Sequence, residues 1–570
     1  MLRPGVAAEP GPYGVRVSTR AGAAMTAWLL RVEGVNFAAT LYDTNDLSTV
    51  RGASIGLLHA GDLAEAIARD IGAVAVPVFS GASQAAICFT APAGLADIPA
   101  AIAAAAEKRL ARPGAKGEPF PHLDFIAVAV PLGDGANAEE AALERATART
   151  RQRQFRRFTT PAIPFSATAR QADALDGFRP ATHELKMRQR VLGSERQLPA
   201  PLPVSGSVRA RKDYGRDARQ GFYRMEIALG QTLGDAILGM GNEALSFTDD
   251  LEAMVEDGPT TLPLAVANKI AVVYADGNGF GDARAAAGST SAFSAIVRPL
   301  QRALLARLLR PLAAGARGSL QSAFALDDGG HFGLRFETLL WGGDEMCFVM
   351  PAWLATGFVG NFLSAQPWEV GKVTLTHALG VAIADRKTPI RQLQYIAKES
   401  ADSAKEAGLR DRNSVTFDIF ESLAPPDDDL SKARVSLYGA AASDDDFPKR
   451  LAFDGAGYDD LMKRLTAITA DFPRSQIYAA LRAARLADGG NLLGAEAQVA
   501  SDAGLAAYGR RAGRDSALGM DALILPARAT AAPTKPDSLP PVLDLARIAL
   551  LWDYVEPLPG LLDYFASEAS

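Results

Sequence analysis

The sequence predicts an α+β protein: two ferredoxin-like domains, each strung in the order β-α-β-β-α-β, followed by a C-terminal helical bundle. Three observations predict it. Short β-branched and aromatic runs alternate with longer helical patterns twice over, once between Trp28 and Val130 and again after Lys269. In the second passage two apolar runs break at glycine and deliver a carboxylate at the break. From Tyr458 onward the strand pattern stops and an Ala/Leu-rich helical pattern takes over.

The first passage opens with a strand at Trp28–Val32, then Glu33-Gly34 and Phe37. The polar turn Tyr42-Asp-Thr-Asn-Asp46-Leu-Ser48 carries N-cap chemistry for a helix reaching Asp70. Strand Ala73–Phe79, the turn Ser80-Gly81-Ala82-Ser83, strand Ala85–Phe89, helix Pro99–Ala111 and strand Phe125–Val130 complete the order. A helix over Ala138–Phe158 then turns basic, with Arg145, Arg149, Arg151, Arg153, Arg156 and Arg157. Pro-rich Gln197–Ser207 reads as a linker, and Arg209-Ala-Arg211-Lys212 with Arg216 and Arg219 form a second basic cluster. Each cluster reads either as a solvated face or as a nucleic-acid groove.

The second passage repeats the order. Strand Ile270–Ala275 leads to helix Ser291–Leu309, a hairpin of Phe332–Trp341 with Met346–Met350, helix Pro351–Leu363 and strand Val373–Ala384. Thr388 is expected to cap a helix with Pro389 at its first position, stopping at Gly408. Strand Val415–Phe420 closes the domain, and hydrophilic Ala424–Asp429 reads as a linker. A Pro-rich break at Pro526–Pro541 precedes a last helix through Leu551. The expected domains are a disordered leader over 1–24, a first palm-like domain over 25–195 and a linker and helical region over 196–262. A second palm-like domain follows over 263–423, then a helical domain over 430–570. Met25 is a candidate start.

The chemistry gathers at the two acidic turns, Asp276-Gly277-Asn278-Gly279-Phe280-Gly281 and Gly342-Gly343-Asp344-Glu345. Mg²⁺ takes hard oxygen ligands, commonly one or two carboxylates with phosphates and water. Antiparallel neighbouring strands would bring Asp276 and Asp344 together, with Glu345 as a further metal ligand or nucleotide contact. A strand ending in Asp beside a hairpin tipped with Asp-Glu is the palm arrangement for two Mg²⁺ or Mn²⁺ ions. Gly277, Gly279, Gly281, Gly342 and Gly343 would let backbone N–H groups approach a triphosphate, with Asn278 among them. Taken singly, each turn is also ordinary hairpin chemistry. Lys398 and Lys405 lie on one face of the Pro389 helix with Asp402 between them, so Lys405 is a candidate phosphate ligand and Arg412 a second. In the first passage Glu33-Gly34 stands where Asp276-Gly277 does and Ser80–Ser83 where Gly342–Glu345 does, so that copy has lost both hairpin acids. The five histidines form no metal or triad spacing and read as structural or surface residues.

Composition narrows the classes. Over 570 residues, 48% hydrophobic and 22% charged side chains describe a folded, multi-domain chain, and a net charge of −6 gives no general basic signal for nucleic acid. Cys88 and Cys347 are the only cysteines, which excludes a disulfide framework and a Cys-based zinc site. No apolar run reaches the roughly 18–20 residues of a membrane span, and the first 24 residues lack a signal-peptide core. A cytoplasmic protein without membrane contact is expected.

The segments Val273-Tyr-Ala-Asp-Gly-Asn-Gly-Phe-Gly281, Gly342-Gly-Asp-Glu345 and Asp402-Ser-Ala-Lys405-Glu-Ala-Gly408 resemble the second palm domain of the large, cyclase subunit of type III CRISPR effector complexes. More distantly they are similar to GGDEF and class III nucleotidyl cyclases. The resemblance implies a palm that polymerises ATP into cyclic oligoadenylate, with Asp276, Asp344 and Glu345 holding two divalent metals, and RNA or ribonucleoprotein subunits as partners. The chain departs from the family in lacking a His-Asp nuclease motif and zinc-ribbon cysteines, and in carrying Glu345 where a second Asp is usual. Met346 breaks the GGDEF signature. The functional classes carried forward are an enzyme, a nucleotidyltransferase of the cyclase type, and a binding module, a silent NTP sensor or scaffold subunit.

Overall fold

Strand β1, Met25–Val35, is buried without interruption from Leu29 onward, which is why its sequence lacks the alternation of a half-exposed strand. The computed structural model describes residues 25–35, 41–70, 75–81, 83–92, 97–112, 117–135, 137–156, 171–186, 188–191, 194–197, 201–227, 236–239, 244–421, 429–439, 442, 447, 450–512, 523 and 541–568. The expected leader, the linker over 424–428 and the Pro-rich break over 526–540 lie outside the described residues, as do Phe37, Ala82, Arg157 and Phe158. The fold is mixed α and β, and it divides into two compact units. One comprises Met1–Met225, Gly281–Pro299 and Leu339–Gly343; the other comprises Glu226–Phe280, Leu300–Thr338 and Asp344–Ser570.

In the first unit β1 is followed by α1 (Leu47–Asp70), β2 (Ala75–Ser80), β3 (Gln84–Pro92), α2 (Asp97–Leu110), β4 (Asp124–Pro131) and α3 (Ala138–Arg156). The sheet order is β2-β3-β1-β4 with antiparallel neighbours throughout. Asp46 caps α1, its carboxylate accepting from the Thr49 N–H at 2.9 Å. Leu29, Val35, Ile126, Val128 and Val130 pack with Ala142, Leu143 and Ala146 of α3 into one apolar cluster.

Arg145, Arg149, Arg151, Arg156, Arg209 and Arg216 are solvent-exposed, as the solvated-face reading expects, while Arg211, Lys212 and Arg219 are buried. Helix α3 lies along β4, the edge strand, and spends its arginines on that strand's unpaired carbonyls. Arg145 donates to the Pro131 carbonyl at 2.8 Å, Arg149 to that of Ala129 at 3.3 Å, and Arg153 to that of Ala127. The Ala127 N–H donates to Glu107 at 2.8 Å. The spacing works because four helical residues rise about 6 Å and two strand residues about 6.6 Å. Arg211 and Lys212, on the helix α4 (Gly206–Ile227), are buried in ion pairs with Asp43 and Asp46 at 2.8 and 2.6 Å. The expected Pro-rich linker carries a strand at Leu202–Val204, paired with His183–Leu185, before α4 begins.

After Lys269 the order of the first sheet recurs. Strand β5 (Lys269–Asn278) is followed by helix α5 (Thr290–Gly315), hairpin β6 (Glu337–Gly342) and β7 (Glu345–Pro351), α6 (Ala352–Leu363), β8 (Val373–Asp385), α7 (Ile390–Glu406) and β9 (Ser414–Ile419). The path is β6-β7-β5-β8-β9, then Phe453–Asp454. Two expectations are corrected. The first hairpin strand starts at Glu337, because His331–Leu334 instead pairs with Ala325–Asp328. There Gly329 and Gly330, with φ of 63° and 90°, form a two-residue turn. Pro389, not Thr388, occupies the N-cap of α7, with no side-chain cap bond. Gly408, at φ 79°, stands just past the helix end as expected. After helix α8 (Leu430–Tyr438), the elements from Gly455 onward are helical: Gly455–Asp471, Arg474–Ala487, Ala495–Ala512, Val542–Leu551 and Leu561–Glu568. Among the described residues no helix is long and apolar enough to cross a membrane.

Replacing Arg145, Arg149 and Arg153 together by alanine should lower stability by about 1 kcal/mol or less per contact, read as a reduced urea midpoint. The freed edge should also raise the mass seen by light scattering as concentration increases. An unchanged midpoint and mass would show that the arginine ladder has no such role.

Candidate functional site

The site is built by the register of β5 against its two neighbours. Asp276 stands opposite Glu345 on β7 and opposite Ala378 on β8. One residue on, the Gly277 N–H donates to the Asp344 carbonyl at 2.8 Å, closing the ladder where the turn begins. The turn itself has two loop residues, Gly343 and Asp344, and Gly343 has φ 69°, the left-handed value that favours glycine at the first position of a tight hairpin. Asp276, Asp344 and Glu345 are therefore brought together at one end of the sheet by backbone pairing alone.

Helix α7 supplies the cations. Lys405 pairs with Asp276 at 2.7 Å and Lys398 with Glu345 at 3.0 Å. The expected shared face of Lys398, Asp402 and Lys405 is turned to the acids. It gets there because α7 lies unusually close to β8: a Cβ on Gly380 would sit 1.9 Å from the Ala397 carbonyl oxygen and 2.3 Å from the Ala401 nitrogen. Sequence inspection missed Gly380, Tyr274 and the pairing role of Lys398; a glycine inside an apolar strand was the one available signal for the close approach.

The electrostatics show an excess of negative charge. Burial, with the charges of Asp276 and Glu345, pushes the Asp344 carboxyl above its usual range, against the pull of Lys405. Asp402 is pushed the same way by burial and by Asp276, against Lys405 and Lys398. Burial works against the Lys398 ammonium, yet its hydrogen bond to Glu345 and the surrounding acids hold it above its ordinary value. Burial and Glu345 together push the Tyr274 phenol well above its usual range. Four carboxylates thus face two lysines.

Other expected residues have different surroundings. Gly277 has no room for a side chain because the Phe280 ring folds back to 2.3 Å from where its Cβ would be. Gly279, at φ 78°, needs its backbone freedom, and Gly281 has open space around it. Asn278 is buried and donates to the Thr376 hydroxyl at 3.1 Å. Arg412 pairs with Asp411 and Asp454 at 2.8 and 3.0 Å and has no bond to the acidic cluster. His377, opposite Gly277, is boxed by Trp368, Phe362 and Phe280 at 4.8, 5.5 and 5.9 Å, and burial with Lys405 lowers its pKa to about 3. It is a neutral core residue, as expected.

The same construction stands in the first unit with different side chains. Glu33 is opposite Gln84, and the Gly34 N–H donates to the Ser83 carbonyl at 2.7 Å. This corrects the expected correspondence by one residue: Gly81-Ala82-Ser83-Gln84 matches Gly342–Glu345. Glu33 is held by Arg31 at 2.9 Å and by Arg151 of α3 at 3.0 Å, and Arg31 also donates to Gln84 at 2.6 Å. In both units the helix after the fourth strand gives a cation to the acid ending the first. Only the second has carboxylates on the turn.

Among the described residues no three His, Cys, Asp or Glu side chains converge as a ready-made cage. A Mg²⁺ site of one or two carboxylates completed by phosphate and water does not need one. Asp344, whose carboxyl is pushed up by burial and by the neighbouring acids, beside Asp276, fits that donor set.

The sequence matches no family model and no curated protein. The chain's structure neighbours are Csm1 chains, large subunits of type III CRISPR complexes. Csm1 of T. onnurineus is 14% identical, with 92% of this chain and 69% of that chain covered at a TM-score of 0.48. A Csm1–Csm4 cassette in complex with pppApA is 14% identical over 92% and 69% at 0.47. A cassette in complex with one ATP is 14% identical over 92% and 70% at 0.44.

Two outcomes are expected. Gly380→Ala should force α7 off the sheet and cost about 3 kcal/mol or more, read by chemical denaturation; a loss under 1 kcal/mol would contradict the close approach. Because the folded-state pKa of Asp344 is raised, its protonated form contributes stability below the ordinary value of 3.8 that is lost as pH rises through the folded value. Asp344→Asn should therefore be more stable than the wild type at pH 7, with the difference shrinking towards pH 3.5 in thermal melts.

Proposed function

We propose that the protein is a Mg²⁺-dependent nucleotidyl cyclase or cyclic-oligonucleotide synthase, acting on ATP or another nucleoside triphosphate. On this reading both sheets belong to palm-type domains, and the first has exchanged its turn acids for Ser83 and Gln84. The single observation that supports it most is the convergence of Asp276, Asp344, Glu345 and Asp402 on only two lysines at a strand end and hairpin turn. That excess of negative charge suits a divalent cation carrying a polyphosphate. The motif resemblance adds the expectation of a role in CRISPR-type or stand-alone antiviral defence, with RNA or ribonucleoprotein subunits as partners.

Asp276 and Asp344 would hold the metal, through hard oxygens fixed by the β5–β7 register. The chemistry such an ion would supply there is activation of a hydroxyl nucleophile and stabilisation of the leaving pyrophosphate. Lys405 lies against Asp276 and on this reading would move its ammonium onto phosphate oxygens. The backbone at Gly342 and Gly343, free of side chains, would admit the triphosphate to the turn. The Tyr274 phenol is buried beside Glu345, and burial with that carboxylate holds its pKa well above the usual range.

The test is incubation of the purified protein with each labelled NTP and Mg²⁺ or Mn²⁺, with and without RNA, beside Asp344→Ala. A cyclic product from the wild type, reduced at least a hundredfold in the variant, is expected. NTP binding without any product would instead assign the chain as a silent sensor or scaffold, and absence of both product and binding would overturn the nucleotide reading altogether.

A further inference from the structure

The turn offers two adjacent acids, Asp344 and Glu345, and their surroundings differ. Glu345 is already paired, in a half-exposed contact: its Oε1 accepts from the Lys398 ammonium at 3.0 Å, it shares a hydrogen bond with the buried Tyr274 hydroxyl, and the same ammonium lies 5.6 Å from the Tyr274 ring centroid. Asp344 has no ion-pair partner among the described residues. Asp276 lies between these cases, with Lys405 at 2.7 Å and Asp344 next to it in the ladder.

Register explains the difference. Asp276 and Glu345 are cross-strand partners, so their side chains rise from one face of the sheet. That face is the one α7 covers, with Lys398 and Lys405 two turns apart along it. Each lysine therefore meets one acid of the pair, while Asp344, in the loop itself, belongs to neither. Length matters as well. A glutamate at position 345 carries one more methylene than an aspartate, and that reach brings its carboxylate to the helix.

The geometry points to a division of labour within the turn: Asp344 with Asp276 faces the divalent cation, and Glu345 is a positioning residue that holds Lys398 for the anionic nucleotide. This rests on the nucleotide reading above. It removes Glu345 from the metal ligands expected from the sequence, and it adds Lys398 as a cation aimed at the substrate's phosphates.

The decisive variant is the double Glu345→Gln/Lys398→Met, which removes the pair without changing net charge. Mn²⁺ uptake by the full-length protein, followed through the loss of the free Mn²⁺ EPR signal, should give a Kd within threefold of wild type for the double variant. Asp344→Asn should weaken it tenfold or more. ATP affinity, measured calorimetrically with Mn²⁺ present, should fall at least fivefold for Lys398→Met and for Glu345→Gln. The double variant should be no worse than Lys398→Met, the non-additivity of a coupled pair. A tenfold loss of Mn²⁺ by the double variant would make Glu345 a metal ligand and overturn the proposal. Wild-type protein that takes up no Mn²⁺ at all would overturn the underlying reading with it. Rescue by Glu345→Asp to full ATP affinity would count against the role of side-chain length.

Discussion

The hydrogen bond from the Gly277 N–H to the Asp344 carbonyl is the contact on which the site depends. It fixes where β5 stops pairing with β7, and with that the positions of three acids. A shift of one residue would send every side chain of β7 to the opposite face of the sheet, and Glu345 would leave α7 for the other side. The apolar residues Val272, Val273, Phe348 and Val349, all fully buried, oppose such a shift because it would exchange their surroundings on both faces at once. Core packing at one end of the strands thus sets the geometry of charge at the other.

Helix α7 is fixed from behind as firmly as the sheet is from within. Arg434, on α8, donates to both Asp418 oxygens at 3.1 and 2.8 Å and to the Ser403 hydroxyl at 2.8 Å, while Glu399 accepts from the Leu430 N–H at 3.2 Å. Ser400, Ser403 and Glu399 occupy one side of α7; Lys398, Asp402 and Lys405 occupy the other. Buried ion pairs of this kind often add little net stability. Here the bidentate geometry limits the rotation of a helix whose opposite side carries the site's charges.

Much of this was legible in the sequence, for local reasons. The strand ending at Asp276, the Gly-Gly-Asp-Glu turn and the spacing of Lys398 and Lys405 are each written in a few adjacent residues. What was not legible depends on partners far along the chain. Arg211 and Lys212 look like a basic patch until Asp43 and Asp46 are placed against them. Arg145 and Arg149 are as exposed as their pattern suggests, but their reach to the carbonyls of β4 shows only once β4 is seen to be an edge. The one-residue offset between Ser83 and Asp344 is invisible to pattern reading, because glycine-containing turns align equally well either way and only the ladder decides. Asn278 and Arg412 carry suitable chemistry in suitable places, yet Thr376 takes up the first and Asp411 with Asp454 the second.

The arginine ladder also constrains how the first unit can change over time. Its rungs fall every fourth residue on α3 and every second on β4, so one inserted or deleted residue in the helix would swing the arginines beyond it round by about 100°. The next matching position lies a full four residues away, and sliding there would put Ala141 or Arg157 on an outer rung. Helix and strand therefore behave like two toothed bars, free to exchange individual side chains but closed to small changes in length.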